Sequence, residues 1–485
     1  MLSPDKYIKN YIDGKLVPAD TGEYFDNTNP ATGRVYAHIP DSEASDVQKA
    51  YEAAERAFPK WSGMPIDKRY RILNRLADII EQYTEPLARA ESIDSGKPFS
   101  LASTVDIPRS QANFRFFATA ITHFSSESHH IAGEAINFTL RQPIGVVGCI
   151  SPWNLPLYLF SWKIAPALAT GNCVVAKPSE ITPMTAYLLS KACIEAGLPE
   201  GVLNIVHGYG HKAGQAIVEH PKIKAISFTG GTATGKSIAA TAAPMFKKLS
   251  LELGGKNPNL IFADCDFEKA MTTTLRSSFS NNGQICLCGS RIYIERSLYQ
   301  KFRDEFVKRT QFLKVGDPFS AVTDLGALSS QAHKEKVKGY LQLAEVEGGT
   351  ILCGGTEVEV PGEYEGGAFL RPAVIEGLPN NCRTNQEEIF GPVVTLQPFD
   401  TEEEAVALAN DIEYGLAATV WTQDVSRAHR VAEKLQSGIV WVNCWMLRDL
   451  RTPFGGVKNS GVGREGGLEA LRFFTEAKNV CVKYS

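Results

Sequence analysis

Ile144-Gly145-Val146-Val147-Gly148-Cys149-Ile150 runs straight into Ser151-Pro152-Trp153-Asn154. An apolar run without polar alternation suits a strand covered on both faces, and the proline that follows cannot extend it. CVVAKP at 173–178, LNIVHG at 203–208 and AISFTG at 225–230 repeat the pattern. Between them lie helical stretches such as 182–196, closed by Gly197, a residue suited to a left-handed helix stop. Strand, helix, strand, several times over, predicts a doubly wound parallel α/β lobe.

Working outward, a second α/β set begins near 253. It comprises NLIFA, a helix over 266–281, RIYIE, a helix near 297–314, VVTLQPF and LAATVWT. The end of the chain, FFTEAKNVCVKYS, reads as a short strand. Upstream, most of 45–97 and 100–120 reads as amphipathic helix interrupted at prolines. It is clearest over 72–83, where Leu73, Leu76, Ile79, Ile80 and Tyr83 recur at helical spacing. The expected fold is therefore two α/β lobes with a cleft between them, the place where dinucleotide enzymes do their chemistry.

The bulk properties narrow the function. A chain of 485 residues suits two or three packed domains, and 44% apolar with 21% charged residues is ordinary for a soluble globular protein. Fifty basic against 54 acidic residues leave a formal charge of -4, with no field to draw nucleic acid or an anionic membrane. A small molecule is the expected partner. The N-terminal stretch lacks the apolar run of roughly 7–15 residues that marks a signal peptide, and nothing approaches the roughly 18 needed to span a bilayer. Ten scattered cysteines, mostly in apolar surroundings and without paired CxxC sequences, suggest reduced thiols in a cytoplasmic protein.

One motif points elsewhere. Gly230-Gly231-Thr232-Ala233-Thr234-Gly235-Lys236-Ser237 matches G-x-x-x-x-G-K-[ST], the phosphate loop of nucleotide triphosphatases, and follows a strand as that loop should. No apolar strand ending in aspartate supplies the metal-holding partner. A Gly-rich strand-to-helix turn serves the pyrophosphate of a dinucleotide equally well, with Lys236 on a solvated helix face. The triphosphatase remains the remote alternative.

Three segments carry the chemistry together: Ile150-Ser151-Pro152-Trp153-Asn154, Leu251-Glu252-Leu253-Gly254-Gly255-Lys256 and Asn282-Gly283-Gln284-Ile285-Cys286. With Lys177-Pro178-Ser179-Glu180, Phe228-Thr229-Gly230 and Glu387-Glu388-Ile389-Phe390-Gly391-Pro392, they make the chain resemble the aldehyde dehydrogenase superfamily over nearly its whole length. A lone G-Q-x-C would be weak, whereas six or more motifs in order are strong. Oxidising an aldehyde to an acid requires a nucleophile on the carbonyl before hydride leaves, and a thiol gives a thioester that water can cleave. The resemblance implies that Cys286 is that nucleophile. It implies that Asn154 and the Cys286 N–H stabilise the oxyanion, and that Glu252 activates the hydrolytic water and helps deprotonate the thiol. Cys288, two residues on, is expected to be a packing thiol. No metal is implied.

The same resemblance implies NAD as cofactor. Lys177 and Glu180 match the ribose contacts, and a carboxylate at Glu180 favours a 2′-hydroxyl over a 2′-phosphate. Gly210 and Gly214 match a turn near the adenine. Glu388 and Phe390 match the nicotinamide-ribose contacts. Ser151, Pro152, Trp153, Ser179 and Leu253 complete the expected lining, with Phe228, Thr229, Gly230, Gly231 and Thr234 along the phosphate-binding turn. F-T-G-S is here Phe228-Thr229-Gly230-Gly231, so a serine hydroxyl is missing and the backbone amide or Thr232 must serve.

Two further segments, Asp106-Ile107-Pro108-Arg109-Ser110 and Asn443-Cys444-Trp445-Met446-Leu447-Arg448-Asp449-Leu450, look like the muconate-semialdehyde dehydrogenases. Their substrates carry a carboxylate far from the aldehyde, which Arg109 and Arg448 could clamp bidentately, with Arg451 a possible substitute for Arg448. The expected substrate is 2-aminomuconate 6-semialdehyde, with the 2-hydroxy analogue close behind. The alternatives are a broad or betaine-type aldehyde dehydrogenase in which the arginines are only structural, and a catalytically dead protein on this scaffold. Domain boundaries are expected at ordinary turns: an NAD-binding domain of 1–122 and 146–252 and a catalytic domain of 253–442. The resemblance adds an oligomerisation arm of 123–145 and 465–485 that joins a homodimer or homotetramer.

Overall fold

The computed structural model describes residues 2–484. Its first sheet orders the strands Lys15–Val17, Asn10–Ile12, Leu203–Ile205, Cys173–Lys177, Val146–Ile150, Ala225–Thr229, Lys248–Glu252 and Gly461–Val462. The four inner pairings that begin at Leu203–Ile205 run parallel up to Lys248–Glu252. The additions at both edges are antiparallel. The apolar runs at 144–150, 173–178, 203–208 and 225–230 thus supply four adjacent strands of one doubly wound sheet. Each inner strand is buried on both faces, as its lack of alternation requires.

Register places the chemistry. Ile150 stands opposite both Lys177 and Phe228, and Thr229 opposite Glu252. The carboxyl ends therefore lie level, and the loops leaving them, which begin at Ser151, Pro178, Gly230 and Leu253, open on one edge of the sheet. Gly148 is required in the middle strand, because a Cβ there would stand 2.7 Å from Ile217 and 2.8 Å from Ile226.

The second sheet has the order Thr350–Cys353, Ala373–Glu376, Val393–Phe399, Arg291–Glu295, Pro258–Ile261, Ala417–Trp421 and Ile439–Val442. All its pairings are parallel except the first, which is antiparallel and bulged at Ile351/Cys353. A third sheet sets Ala135–Pro143 between Ser128–Ile131 and Thr475–Lys483. The C-terminal strand is nine residues long and pairs along its whole length, longer than the short strand expected.

One expectation shifts. The helix expected at 72–83 is Ile66–Gln82, which starts directly after Pro65 and buries Leu73, Leu76, Ile79 and Ile80. Proline is well placed just ahead of a helix, so its presence starts this one instead of interrupting it. Within the arm expected over 465–485, a helix packed on the first core precedes the strand. The helix Gly467–Phe473 turns Ala470 and Leu471 into that core beside Phe474, and the strand begins at Thr475.

Candidate active site

Cys286 is presented by an unusual turn. The helix Phe267–Phe279 ends and three consecutive residues, Asn281, Asn282 and Gly283, take left-handed backbone (φ 52°, 56° and 70°). Asparagine tolerates this region, and at 283 only glycine fits, because a Cβ would lie 2.1 Å from the Gly391 carbonyl oxygen. Side chains hold the turn shut. Asn282 Nδ2 donates to Gly326 O (2.9 Å), Gln284 Nε2 donates to Asn281 O (3.1 Å), and Gln284 Oε1 accepts from the Ser329 N–H (3.0 Å). Asn257 Nδ2 donates to both Cys286 O and Cys288 O, each at 2.8 Å. Cys288 is buried in an apolar cluster with Ile285, Leu287 and Trp445, so it packs, while Cys286 keeps partial access.

Asn154 comes from the loop after Val146–Ile150, and its Nδ2 donates to Gln284 O (2.9 Å), two residues from the thiol. Asn154 and Cys286 line one cavity of about 260 Å³ with Leu253, Glu388 and Phe390. Glu252 is the last residue of its strand, only 4% exposed, with both carboxyl oxygens buried and unpartnered among the described residues. It does not line that cavity itself. Gly455 leaves it room, since a Cβ there would stand 2.7 Å from Glu252 Oε1. Burial first, then the charge of Glu465, holds the Glu252 carboxyl well above the usual range, against the pull of Lys163, Arg464 and Arg448. Glu465 is itself paired to Lys163 Nζ at 2.8 Å. The Cys286 thiol is pushed strongly upward by burial and then by the carboxylates of Glu388 and Glu252, with Arg448 pulling the other way.

From this cavity a cleft of about 600 Å³ runs along the strand ends. Its walls are Ser151, Pro152, Trp153, Lys177, Ser179 and Glu180, the turn residues Gly210 and Gly214, and Phe228, Thr229, Gly230, Gly231 and Thr234. Leu253, Glu388 and Phe390 stand in the adjoining cavity, so every residue expected at the cofactor lies along one continuous channel. Lys177 Nζ donates to Glu180 Oε2 (3.0 Å), and the Gly210 N–H donates to Glu180 Oε1 (3.3 Å). Burial disfavours the Glu180 charge, yet Lys177 and these backbone donors outweigh it and lower its pKa. Ser151 Oγ and Thr229 Oγ1 are buried beside the cleft without partners, polar groups that a polar ligand would satisfy. Gly231 precedes the helix Thr232–Ala242, whose free N–H groups suit phosphate. A dinucleotide fits these walls. Lys236 is exposed on that helix and does not line the cleft, so the phosphate-loop reading loses its lysine.

No motif marks His333, Lys336 or Leu159, which also line the cavity at Cys286. His333 Nε2 donates to Phe390 O (2.7 Å), and its ring meets Trp153 edge-on at 5.0 Å. Phe390, left-handed at φ 60°, meets Trp153 in the same way at 5.2 Å. No local motif marks His333, because its neighbours come from segments far away in the chain.

A second cavity, about 740 Å³, shares Ile285 with the nucleophile loop and contains both Arg109 and Arg448. Among the described residues Arg109 Nε and Nη2 have no hydrogen-bond partner, and its guanidinium lies 5.5 Å from the Tyr158 ring centre. Arg448 Nη1 donates to Tyr158 Oη (3.2 Å) and rests 3.9 Å from the Phe454 ring centre. Burial, together with the nearby Arg448 charge, lowers the Arg109 pKa, with Tyr158 opposing. No acidic residue lines this cavity, and Lys269 and Arg276 add two cations that the sequence reading missed. Arg451 is not a substitute for Arg448: it is 80% exposed and paired to Asp449 at 2.6 Å. Arg448 sits on an irregular segment, with Asn443 and Met446 left-handed, that is tied down where Trp445 Nε1 donates to Leu287 O (2.9 Å).

A dinucleotide-sized cleft that ends at a loop-borne thiol defines an oxidoreductase with a covalent step. The chain belongs to the aldehyde dehydrogenase family, whose pattern it matches over residues 16–480. It is 52% identical over 482 residues to a 2-aminomuconic semialdehyde dehydrogenase of Danio rerio, covering 98% of each chain. It is 48% identical over 484 residues to a 2-hydroxymuconic semialdehyde dehydrogenase of a Pseudomonas species, covering 99% of this chain and all of the other. Among solved structures it is similar to the NAD+ complex of an aldehyde dehydrogenase from Bacillus cereus. That match has a TM-score of 0.96 at 41% identity, covering 99% of this chain and 97% of that one.

Proposed function

We propose that this chain oxidises a 2-aminomuconate-type 6-semialdehyde to the acid with NAD as acceptor, the 2-hydroxy analogue being the second reading. The observation that carries the substrate is the pair Arg109 and Arg448, unpaired with any acid in a cavity whose lining has no carboxylate and which reaches Ile285. Two guanidinium groups left without counter-ions suit an anionic ligand, and the planar forks match a carboxylate. The relatives' names, each for a semialdehyde of a muconic acid, agree with that chemistry.

In the reaction, Cys286 Sγ bonds to the aldehyde carbon as its proton passes to a base, and the carbonyl oxygen becomes an oxyanion. Asn154 Nδ2 spends one hydrogen on Gln284 O and has a second for that oxyanion, beside the Cys286 N–H. NAD, when bound, would supply the hydride acceptor that lets the tetrahedral adduct on Cys286 become a thioester. Ionised Glu252 takes a proton from water, the hydroxide adds to the thioester, and the acid departs as the thiol is restored. Lys177 and Glu180 would hold the adenosine ribose, the Gly230–Gly231 turn the pyrophosphate, and Glu388 with Phe390 the nicotinamide ribose. Glu180 favours NAD over NADP, because a 2′-phosphate would meet its charge.

The arm of Ser128–Ile131, Ala135–Pro143 and Thr475–Lys483 supports a homodimer or homotetramer. Its outer strands have free edges and expose Ile131 and Val482, and the central strand exposes Leu140. We place the domain boundaries at 1–122 with 146–252, then 253–442, with the arm at 123–145 and from Thr475 onward. No helix among the described residues is long and apolar enough to cross a membrane, and all ten cysteines are free, which supports a cytoplasmic setting.

NADH formation with a muconic semialdehyde beside acetaldehyde and benzaldehyde tests the reading. Arg109→Ala and Arg448→Ala should each raise KM for the carboxylated aldehyde by about tenfold to a hundredfold, the worth of a charged hydrogen bond, and change the simple aldehydes little. An equal effect on both classes would sink the clamp.

A further inference from the structure

Lys97 follows the helix Thr84–Ser95, and its ammonium is completely buried, 0% exposed. All three of its protons are engaged: Asp106 Oδ2 at 2.5 Å, the main-chain oxygen of Asn154 at 3.0 Å, and Glu91 Oε1 at 3.4 Å. Glu91 Oε2 in turn accepts from the Leu157 N–H (3.3 Å), just beyond Asn154. The Asn154 oxygen has a second donor, Asn281 Nδ2 at 3.0 Å, which also reaches Gln284 O at 3.3 Å. Gln284 O is the atom that holds Asn154 Nδ2. Lys97, Asn154, Asn281 and Gln284 thus form one closed hydrogen-bonded unit around the turn that presents Cys286.

A buried ion cluster of this kind is poor at stabilising a fold, because desolvation consumes its attraction, and Asp106 Oδ1 is left buried without a partner. Its placement suggests a different use. Residues 151–155 form a loop with no strand or helix of their own, so the Asn154 peptide is oriented by what binds its oxygen. Asp106 closes the wide helical turn Ala102–Asp106 that leads into Ile107–Ala120, three residues before Arg109.

We propose that Lys97 is the positioning residue of the oxyanion hole: its ammonium orients the Asn154 main chain, and through Asp106 it joins that setting to the helix bearing Arg109. Burial works against its charge, but Asp106 and Glu91 outweigh burial and keep Lys97 protonated. The proposal rests on the reading of Asn154 as the oxyanion donor, and its test separates the two.

Two rates on the same enzyme decide it. Aldehyde oxidation, read as kcat/KM for a simple aldehyde at saturating NAD+, needs the oxyanion hole. Alkylation of Cys286 by iodoacetamide, followed on the peptide that carries it, is a displacement with no oxyanion. Asn154→Ala provides the reference, with oxidation lost and alkylation kept. Lys97→Met, and the neutral set Glu91→Gln/Lys97→Met/Asp106→Asn should the single change not fold, should lose about tenfold to a hundredfold in oxidation. Alkylation should stay within about threefold of the parent. Oxidation within twofold of the parent, or a parallel fall in both rates, overturns the proposal. Failure of both variants to fold also overturns it, by assigning Lys97 to stability alone. A selective loss in Asn154→Ala without one at Lys97 removes this inference and leaves the oxyanion reading standing. No selective loss in Asn154→Ala removes both.

Discussion

The cleft from Lys177 to Cys286 and the cavity behind Ile285 are built in different ways. The first is walled largely by main chain and small residues, Gly210, Gly214, Gly230 and Gly231 among them, from loops at the level ends of neighbouring parallel strands. The second is walled by long side chains, Arg109, Tyr158, Trp445 and Arg448, drawn from a helix, a helix start and an irregular segment near the C-terminus. One combines glycine turns with the fixed side chains of Lys177 and Glu180 at the ends of neighbouring strands. The other recognises by side chains that can be exchanged singly. The carboxylates Glu180 and Glu388 line the first side, the unpaired cations line the second, and Cys286 lies between.

The comparison breaks most completely at the thiol. Cys286→Ala should abolish NADH formation, a loss of about a thousandfold or more, while calorimetry still detects NAD+ binding in the cleft. Loss of both would mean that the cleft is not independent of the nucleophile. Glu252→Gln should slow steady turnover by about a hundredfold yet leave a first-turnover burst of NADH, because the base acts on the thioester. In the parent, that hydrolysis should rise with pH through a value above the ordinary carboxylate range, since burial and Glu465 hold the Glu252 proton. Removing the like charge favours the ionised form, so Glu465→Gln should move the rise to lower pH. An unmoved or raised limb would contradict the coupling.

Smaller effects sharpen the cleft itself. Glu180→Ser removes the repelling carboxylate and releases Lys177 Nζ, so discrimination against NADP should fall about tenfold in the ratio of kcat/KM values. The smallest effect expected is at Gly231, where a Cβ meets nothing within 4 Å. Gly231→Ser should fit without strain, cap the helix that follows, and tighten NAD+ by no more than about threefold. Weaker binding would show that the open space is needed by the cofactor.

What the sequence made legible follows the same division. Ser151 to Asn154, Lys177 to Glu180 and Phe228 to Gly231 each sit where a buried apolar run ends, so a local pattern located them and the parallel register gathered them. Arg109 and Arg448 were legible only as a pair of segments, and it took the fold to show both beside Tyr158 with no acid near. Lys97 with Asp106, and Lys163 with Glu465 across 302 residues, were invisible, because each charge looks solvated until its distant partner is placed. His333 was hidden for the same reason. The strands Thr350–Cys353 and Ile439–Val442 also escaped notice, being short and half-buried.

The tether between Trp445 and Leu287 bears on how such enzymes diversify. Point changes at Arg448 could redirect the substrate and leave the tether in place, since its guanidinium rests on Tyr158 and Phe454 and takes no part in it. Insertions or deletions between 443 and 449 would instead pull on the turn that follows Cys286. New specificities on this scaffold should therefore arise by exchange of residues within a segment of constant length, and engineered libraries should keep that length.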